Sequence, residues 1–153
     1  MGEVRVKVKL TNVIDAGLVR RGMLTPDQVR TCVVEGIADT GAVSSTLPLH
    51  IAQQLGLAMV EKARAEYANG FVEEVDVTEP VNFEINNRRA SEEAMVLGSE
   101  ILIGQTLLER MDWLVDCRNQ RLVGNPDHPD QAVLKIRRVK YAKPADVNHA
   151  IIE

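Results

Sequence analysis

The chain lacks the features that define several common protein classes. Its 153 residues include two cysteines, Cys32 and Cys117, which are too few for the disulfide framework of a small secreted domain. Aromatic residues make up 3% of the chain, and no apolar run approaches the roughly 20 residues of a membrane-spanning helix. Because both cysteines lie in or close to apolar segments, we expect reduced thiols in or near the core of a cytoplasmic protein, with no membrane partner.

The charge and the histidines argue against two further classes. The 22 acidic and 18 basic residues give a net charge of -4, and a nucleic-acid partner, which favours a basic face, is therefore not expected. His50, His128 and His149 are scattered without the spacing of metal ligands. We therefore expect neither a metal nor another cofactor. Residues 1–10 lack the apolar centre of a signal peptide, and none is expected there.

What the chain does have is a series of short strand patterns separated by turn residues, which predicts an all-β, barrel-like domain with two short helices. The expected strands are 4–10, 31–38, 71–77, 81–85, 94–97, 101–103, 113–116, 121–123 and 132–139, with a weaker alternation over 61–67. The length fits one domain, residues 1–125, followed by a C-terminal extension, residues 126–153, with one more strand and a mobile tail.

Two segments between the strands are assigned by their glycine and proline residues. Residues 13–30 contain Gly17, Gly22 and Pro26 and are interpreted as a hairpin connection or surface excursion. Thr46 as a cap, an apolar stripe with a period of four, and Gly56 as a terminator predict a helix of about two turns.

The most informative stretch is Asp39-Thr40-Gly41-Ala42, at the end of the apolar strand 31–38. Removing a carboxylate from water at the end of a buried strand costs free energy unless the carboxylate is paired, hydrogen-bonded or protonated. Gly41 permits a sharp turn of the backbone directly after it. These residues fit a catalytic carboxylate on a tight loop. They also fit an ordinary turn, because Asp and Gly are both common turn residues.

Two further segments follow in order. Asn69-Gly70 lies between strand patterns and predicts a tight hairpin; such a hairpin needs no function. The apolar run 101–103 ends in Gly104 and precedes a helical turn. That run is interpreted first as a buried strand and as functional only through its position.

These three features, in this order, resemble the single-domain, retropepsin-like aspartic proteases (clan AA) of the bacterial type, over roughly residues 4–123. The resemblance implies the acid-protease fold, a closed barrel of short strands with a flap hairpin. It implies Asp39, Thr40 and Gly41 as the catalytic loop. It further implies that Ala42, Ala68, Asn69, Gly70, Ile103 and Gly104 bind the substrate.

The chain contains a single Asp-Thr-Gly, whereas the chemistry of this family needs two carboxylates that share a proton. The resemblance therefore implies a homodimer with Asp39 of each copy at the twofold axis, hydrolysing a peptide or protein substrate. At the positions of Val43 and Gln105, viral members of this family carry an acid and an arginine that support their dimer. That pair is absent here, which puts dimer strength in doubt. The alternative is a non-catalytic dimeric module that uses the same cleft to bind a peptide.

Overall fold

The computed structural model describes residues 3–136, 139–140 and 151–152. Its strands are β1 (Val4–Asn12), β2 (Thr31–Ala38), β3 (Thr46–Leu47), β4 (Met59–Glu66), β5 (Val72–Thr78), β6 (Val81–Ile85), β7 (Arg88–Glu92), β8 (Met95–Val96), β9 (Leu102–Ile103), β10 (Trp113–Asp116), β11 (Arg121–Gly124), β12 (Val139–Lys140) and β13 (Ile151–Ile152). Its α-helices are α1 (Val13–Arg20), α2 (Leu49–Gln54) and α3 (Gln105–Arg110), with a 3-10 turn at Pro26–Gln28. The expectation of an all-β domain with few, short helices is confirmed.

Nine of the described strands form one curled sheet in the order β4-β5-β8-β3-β9-β2-β1-β6-β7. The pairs β2–β9 and β3–β8 are parallel, and the other neighbours are antiparallel. The sheet is a half-barrel. Its end strands β4 and β7 do not pair with each other within the described chain, so the barrel is open at this seam rather than closed.

The long pair β1–β2 shows how the sequence pattern builds the sheet. β1 pairs with β2 from Val4↔Ala38 to Thr11↔Thr31. Val8 and Leu10 are fully buried, while the lysines between and beside them are exposed, because successive side chains of a strand point to opposite faces. The inward set packs with α2, α3, β6 and β9 in one hydrophobic core that includes Phe83 and Leu107.

The segment 13–30 is not a plain loop, because α1 occupies its first part. The Asn12 side chain caps this helix by accepting a hydrogen bond from Asp15 N–H at 3.0 Å. Asp15 is buried and binds the Arg30 guanidinium through both carboxylate oxygens, at 2.8 and 2.9 Å. These contacts outweigh the low helix propensity of Gly17, which had favoured a loop.

The predicted helix near residue 46 begins later than expected. Thr46 and Leu47 form β3, Pro48 occupies the N-cap position without a side-chain cap, and the helix starts at Leu49. Pairing of β3 with β8 and β9 uses Thr46 in the sheet, so it cannot cap the helix. Gly56, at φ 65°, follows the helix as predicted.

The sequence patterns also missed or misplaced smaller features. β7 follows the turn at Asn86 without having been predicted. Cys32 is buried as expected, but Cys117 is exposed on the β10–β11 turn. Residues 132–136 lie in no strand; β12 begins only at Val139 and pairs with β13. The strand predicted over 132–139 includes 137–138, which lie outside the described residues, as do 141–150 of the predicted mobile tail.

The start of the C-terminal extension is held against the body of the domain. The Asp112 carboxylate accepts hydrogen bonds from Asn125 Nδ2 at 3.1 Å and Val133 N–H at 3.1 Å, and lies 2.7 Å from His128 Nδ1. The buried Arg88 guanidinium donates to the His128 carbonyl at 2.8 Å. Burial of the Asp112 carboxylate raises its pKa, but the hydrogen bonds from Asn125, Val133 and His128 outweigh burial and lower it. The division at residue 125 stays a prediction.

Candidate active site

Asp39 lies where two parallel strands end together. β2 pairs with β9 through Ile37↔Leu102 and Ala38↔Ile103, and Asp39 N–H donates to the Ile103 carbonyl at 3.0 Å. Parallel strands present their carboxyl ends at one edge of the sheet. Asp39 and Gly104, which are far apart in the sequence, are therefore side by side.

The loop after β2 is a tight turn closed by Asp39 itself. Gly41 N–H donates to Asp39 Oδ1 at 2.8 Å, and Ala42 N–H donates to the Asp39 carbonyl at 3.2 Å. This is the turn chemistry that the sequence also allowed. Asp39 Oδ2 accepts no hydrogen bond from the described residues, so one carboxylate oxygen of a half-buried side chain is left for another partner.

Gly104 packs closely against the backbone of the loop at Val43 and Ser44. A Cβ at this position would lie 2.7 Å from the Ser44 carbonyl carbon and 2.8 Å from the Val43 carbonyl oxygen, so glycine is required by the close approach of two backbones. Gly104 N–H donates to Ser45 Oγ at 3.0 Å. The next residue, Gln105, donates its N–H to the Ala42 carbonyl at 2.7 Å. The loop is thus fixed at both of its ends.

The outer side of the loop is open in the single chain. Thr40 and Gly41 are exposed and Ala42 is partly buried. Val43, beside them, is 70% exposed, which is high for a valine next to a core strand. These residues form an uncovered surface around the carboxylate.

Ala68, Asn69 and Gly70 lie at the tip of the β4–β5 hairpin, as the Asn-Gly signal predicted. Gly70 has φ 84°, and its N–H donates to the Tyr67 carbonyl at 2.9 Å. The rings of Tyr67 and Phe71 stack at 5.8 Å. Tyr67 Oη donates to a carboxylate oxygen of Glu73, and this hydrogen bond raises the pKa of Tyr67.

The structure thus brings six of the nine predicted site residues together and leaves three apart. Residues 39–42 and 103–104 form one cluster, while the tip, residues 68–70, makes its hydrogen bonds within the hairpin; none of those recorded for the described residues joins it to the Asp39 loop. Sequence reasoning did not assign Ser45, the buried anchor of Gly104. A serine three residues after Ala42, at the start of a buried pattern, was its only sequence signal.

Two kinds of feature are absent from the described residues. No group of three or more His, Cys, Asp or Glu side chains within 3–136, 139–140 and 151–152 is arranged to hold a metal ion. No helix in the same part of the chain is long and apolar enough to cross a membrane.

Comparison with known proteins gives likenesses to solved structures but no sequence match. No family model matches the chain, and no curated protein matches it. Among solved structures, the chain is similar to a retropepsin-like aspartic protease from Rickettsia conorii, with a TM-score of 0.46 and 17% identity over 75% of this chain and 77% of that one. This score is too low to transfer an activity, so any functional proposal rests on the geometry of the Asp39 loop.

Proposed function

We propose that this chain is one subunit of a homodimeric aspartic endopeptidase, with Asp39 of each copy as the two catalytic carboxylates. The observation that carries the proposal is the Asp39 loop itself. Its carboxylate is fixed through Oδ1 by Gly41 N–H, has an Oδ2 without a partner among the described residues, and lies on an uncovered surface at the end of two strands.

The chemistry follows from placing two such carboxylates a few ångströms apart. Like charges at that distance do not both ionise readily, so the pair holds one proton. The ionised carboxylate takes a proton from a water molecule, which attacks the peptide carbonyl, while the protonated one donates a hydrogen bond to the carbonyl oxygen. One chain supplies one Asp-Thr-Gly, and a symmetric partner supplies the second.

The other predicted residues take roles around this dyad in the proposal. Thr40 and Gly41 form the contact between the two loops, while Ala42, Ile103 and Gly104 line the cleft. The hairpin tip at residues 68–70 covers the bound peptide and excludes water. In the same proposal the chain is a member of the retropepsin-like aspartic proteases and is located in the cytoplasm.

The test is cleavage of a peptide library by the purified protein and by Asp39→Asn. We expect the wild type to cleave and the variant to lose roughly 10²–10⁴-fold in rate, the usual contribution of an acid–base group. Asp130→Asn is the control, because Asp130 is an exposed aspartate outside the loop and makes the same charge change. Cleavage that survives in Asp39→Asn excludes the dyad. Peptide binding without cleavage, in wild type and variant alike, favours the non-catalytic peptide-binding module.

A further inference from the structure

The outer face of strands β1, β6 and β7 carries an ordered array of polar side chains. Leu10, Phe83 and Ala90 point from these strands into the core, so their sequence neighbours point outward. The strand register aligns the outward side chains in two rows, Lys9–Glu84–Arg89 and Thr11–Asn82–Ser91. Three strands that are separate in the sequence thus build one polar surface.

Two helices turn this surface into an open groove of about 630 Å³. Val13, Ala16 and Arg20 of α1 line it, and Arg110 of α3 also lines it. Arg110 is tied to the sheet by a hydrogen bond from Nη1 to the Ser91 carbonyl at 3.2 Å. The groove therefore has a polar floor and borders that combine charge with small apolar side chains.

The charge of the groove is opposite to that of the chain. Its lining includes four cationic side chains, Lys9, Arg20, Arg89 and Arg110, and one carboxylate, Glu84, whereas the whole chain has a net charge of -4. None of the four cations forms an ion pair with an acid of the described residues. A cluster of uncompensated like charges repels itself and attracts a ligand of opposite charge.

We propose that this groove binds an acidic peptide segment in an extended conformation. Lys9 and Arg89 stand on strands two apart, about 10 Å from each other at the backbone. In an extended peptide, alternate side chains on one side are roughly 7 Å apart. Carboxylates on one side of the peptide therefore contact different cations of the groove, while the Thr11 hydroxyl and Asn82 Nδ2 hydrogen-bond the peptide backbone. Ser91 Oγ donates to Asn82 Oδ1 at 3.1 Å and so orients this amide.

A peptide fits this surface better than a compact phosphate group does. Phosphate sites commonly use several converging backbone N–H groups at a turn or a helix end. Here the floor is a paired sheet, in which β1 bonds to both β2 and β6, and β6 bonds to both β1 and β7. The backbone donors of β1 and β6 are thus engaged in the ladders, β7 is the edge strand, and recognition falls to side chains spread over the three strands.

The groove is separate from the candidate active site. Lys9 pairs with Val33, which precedes Asp39 by six residues along β2, a distance on the order of 20 Å. The binding proposal therefore stands or fails independently of the peptidase proposal. Asp39→Asn, which removes the chemistry of that loop, is expected to bind the acidic peptide as the wild type does.

The experiment measures binding of fluorescein-labelled hexaglutamate by anisotropy, with hexaglutamine as the neutral probe. We expect hexaglutamate alone to bind, less tightly as salt is added. Lys9→Gln/Arg89→Gln should raise Kd by on the order of tenfold, because each of the two exposed charge contacts contributes a factor of roughly three to the affinity. Glu84→Gln should lower Kd by roughly threefold, because it removes the repulsive carboxylate while keeping the side-chain shape.

Matched controls separate a built groove from general charge attraction. Arg64→Gln/Arg118→Gln removes the same charge from exposed positions outside the groove, Arg64 on β4 at the opposite end of the sheet, and should leave Kd within about twofold. Thermal unfolding checks that each variant is folded. Absence of hexaglutamate binding overturns the proposal, as does an equal loss in the control pair. Tighter binding of inorganic pyrophosphate or of oligodeoxythymidylate at this groove also overturns it, in favour of a phosphate ligand.

Discussion

Ser45 joins the two halves of the candidate active site, because its buried hydroxyl accepts Gly104 N–H at 3.0 Å. Ser45→Ala leaves that backbone donor without its partner, and we expect the free energy of unfolding to fall by about 1–3 kcal/mol. In the proposed enzyme, peptide cleavage should fall as well, since the loop loses its anchor. Urea denaturation and cleavage assays measure the two effects.

Ser44→Ala is the matched control for this residue. Ser44 is the neighbouring serine, is partly buried, and its side chain makes no hydrogen bond recorded among the described residues. We expect its unfolding free energy to change by less than about 0.5 kcal/mol. Equal losses in the two variants would show that Ser45 Oγ is not the anchor of Gly104.

At the scale of secondary-structure elements, a substitution in the β4–β5 hairpin tests whether this hairpin covers the bound peptide during cleavage. Gly70 has φ 84° and a substituted Cβ would meet no atom within 4 Å, so Gly70→Val costs only the backbone strain of a β-branched residue, about 1–2 kcal/mol. We expect cleavage to fall by more than that stability loss explains.

Gly22→Val is the control, because it introduces the same backbone strain of a β-branched residue at positive φ outside the hairpin. Gly22 has φ 74°, and a Cβ added to it would likewise meet no atom within 4 Å, but it lies between α1 and the 3-10 turn. We expect a similar loss of stability with unchanged cleavage. If both variants cleave like the wild type, the hairpin is a structural turn and the cover is excluded.

Helix α1 depends on a buried charge. The two hydrogen bonds from the Arg30 side chain hold the pKa of Asp15 below its usual value of about 3.9, although burial opposes them. A lowered carboxyl pKa in the folded state contributes stability above the unfolded pKa and loses it as the pH falls through the folded value. The ion pair therefore stabilises the domain at neutral pH, and this contribution declines progressively as the pH falls below about 4.

Asp15→Asn tests this dependence. Urea unfolding at a series of pH values should show the variant less stable than the wild type at neutral pH, with the difference narrowing below about pH 4. Asp130→Asn, at an exposed position, should show no such pH-dependent difference. A constant difference between Asp15→Asn and the wild type across the acid range would contradict the proposed role of the ion pair.

For the whole molecule, the open side of the Asp39 loop predicts self-association. Val43 is 70% exposed next to the carboxylate, and the proposed dimer covers it. Val43→Asp should shift sedimentation toward the monomer and reduce cleavage in parallel. Val33→Asp is the control, because Val33 is 59% exposed on β2, the strand before the loop, and lies six residues from Asp39. A wild type that stays monomeric at every concentration and still cleaves would exclude the two-chain site.

Patterns of neighbouring residues predicted most of the strands and the turn chemistry. β2 was predicted with its observed bounds, and the hairpin at Asn69-Gly70 has the positive φ that its glycine allows. In contrast, α1 was missed, because the ion pair that stabilises it joins Asp15 to Arg30, which lies outside the helix. A contact across a loop leaves no period in the sequence, whereas glycine and proline do.

The amino-acid sequence by itself determined that the chain forms short strands and that an acid, a hydroxyl residue and a glycine follow one buried strand. Those features depend on side-chain alternation and on local backbone preferences. Only the tertiary structure decided that β9 lies parallel to β2, that Gly104 is held by Ser45, and that Lys9 and Arg89 share one face. The reason is physical: the choice of partner strand depends on packing among distant segments, which no local pattern specifies.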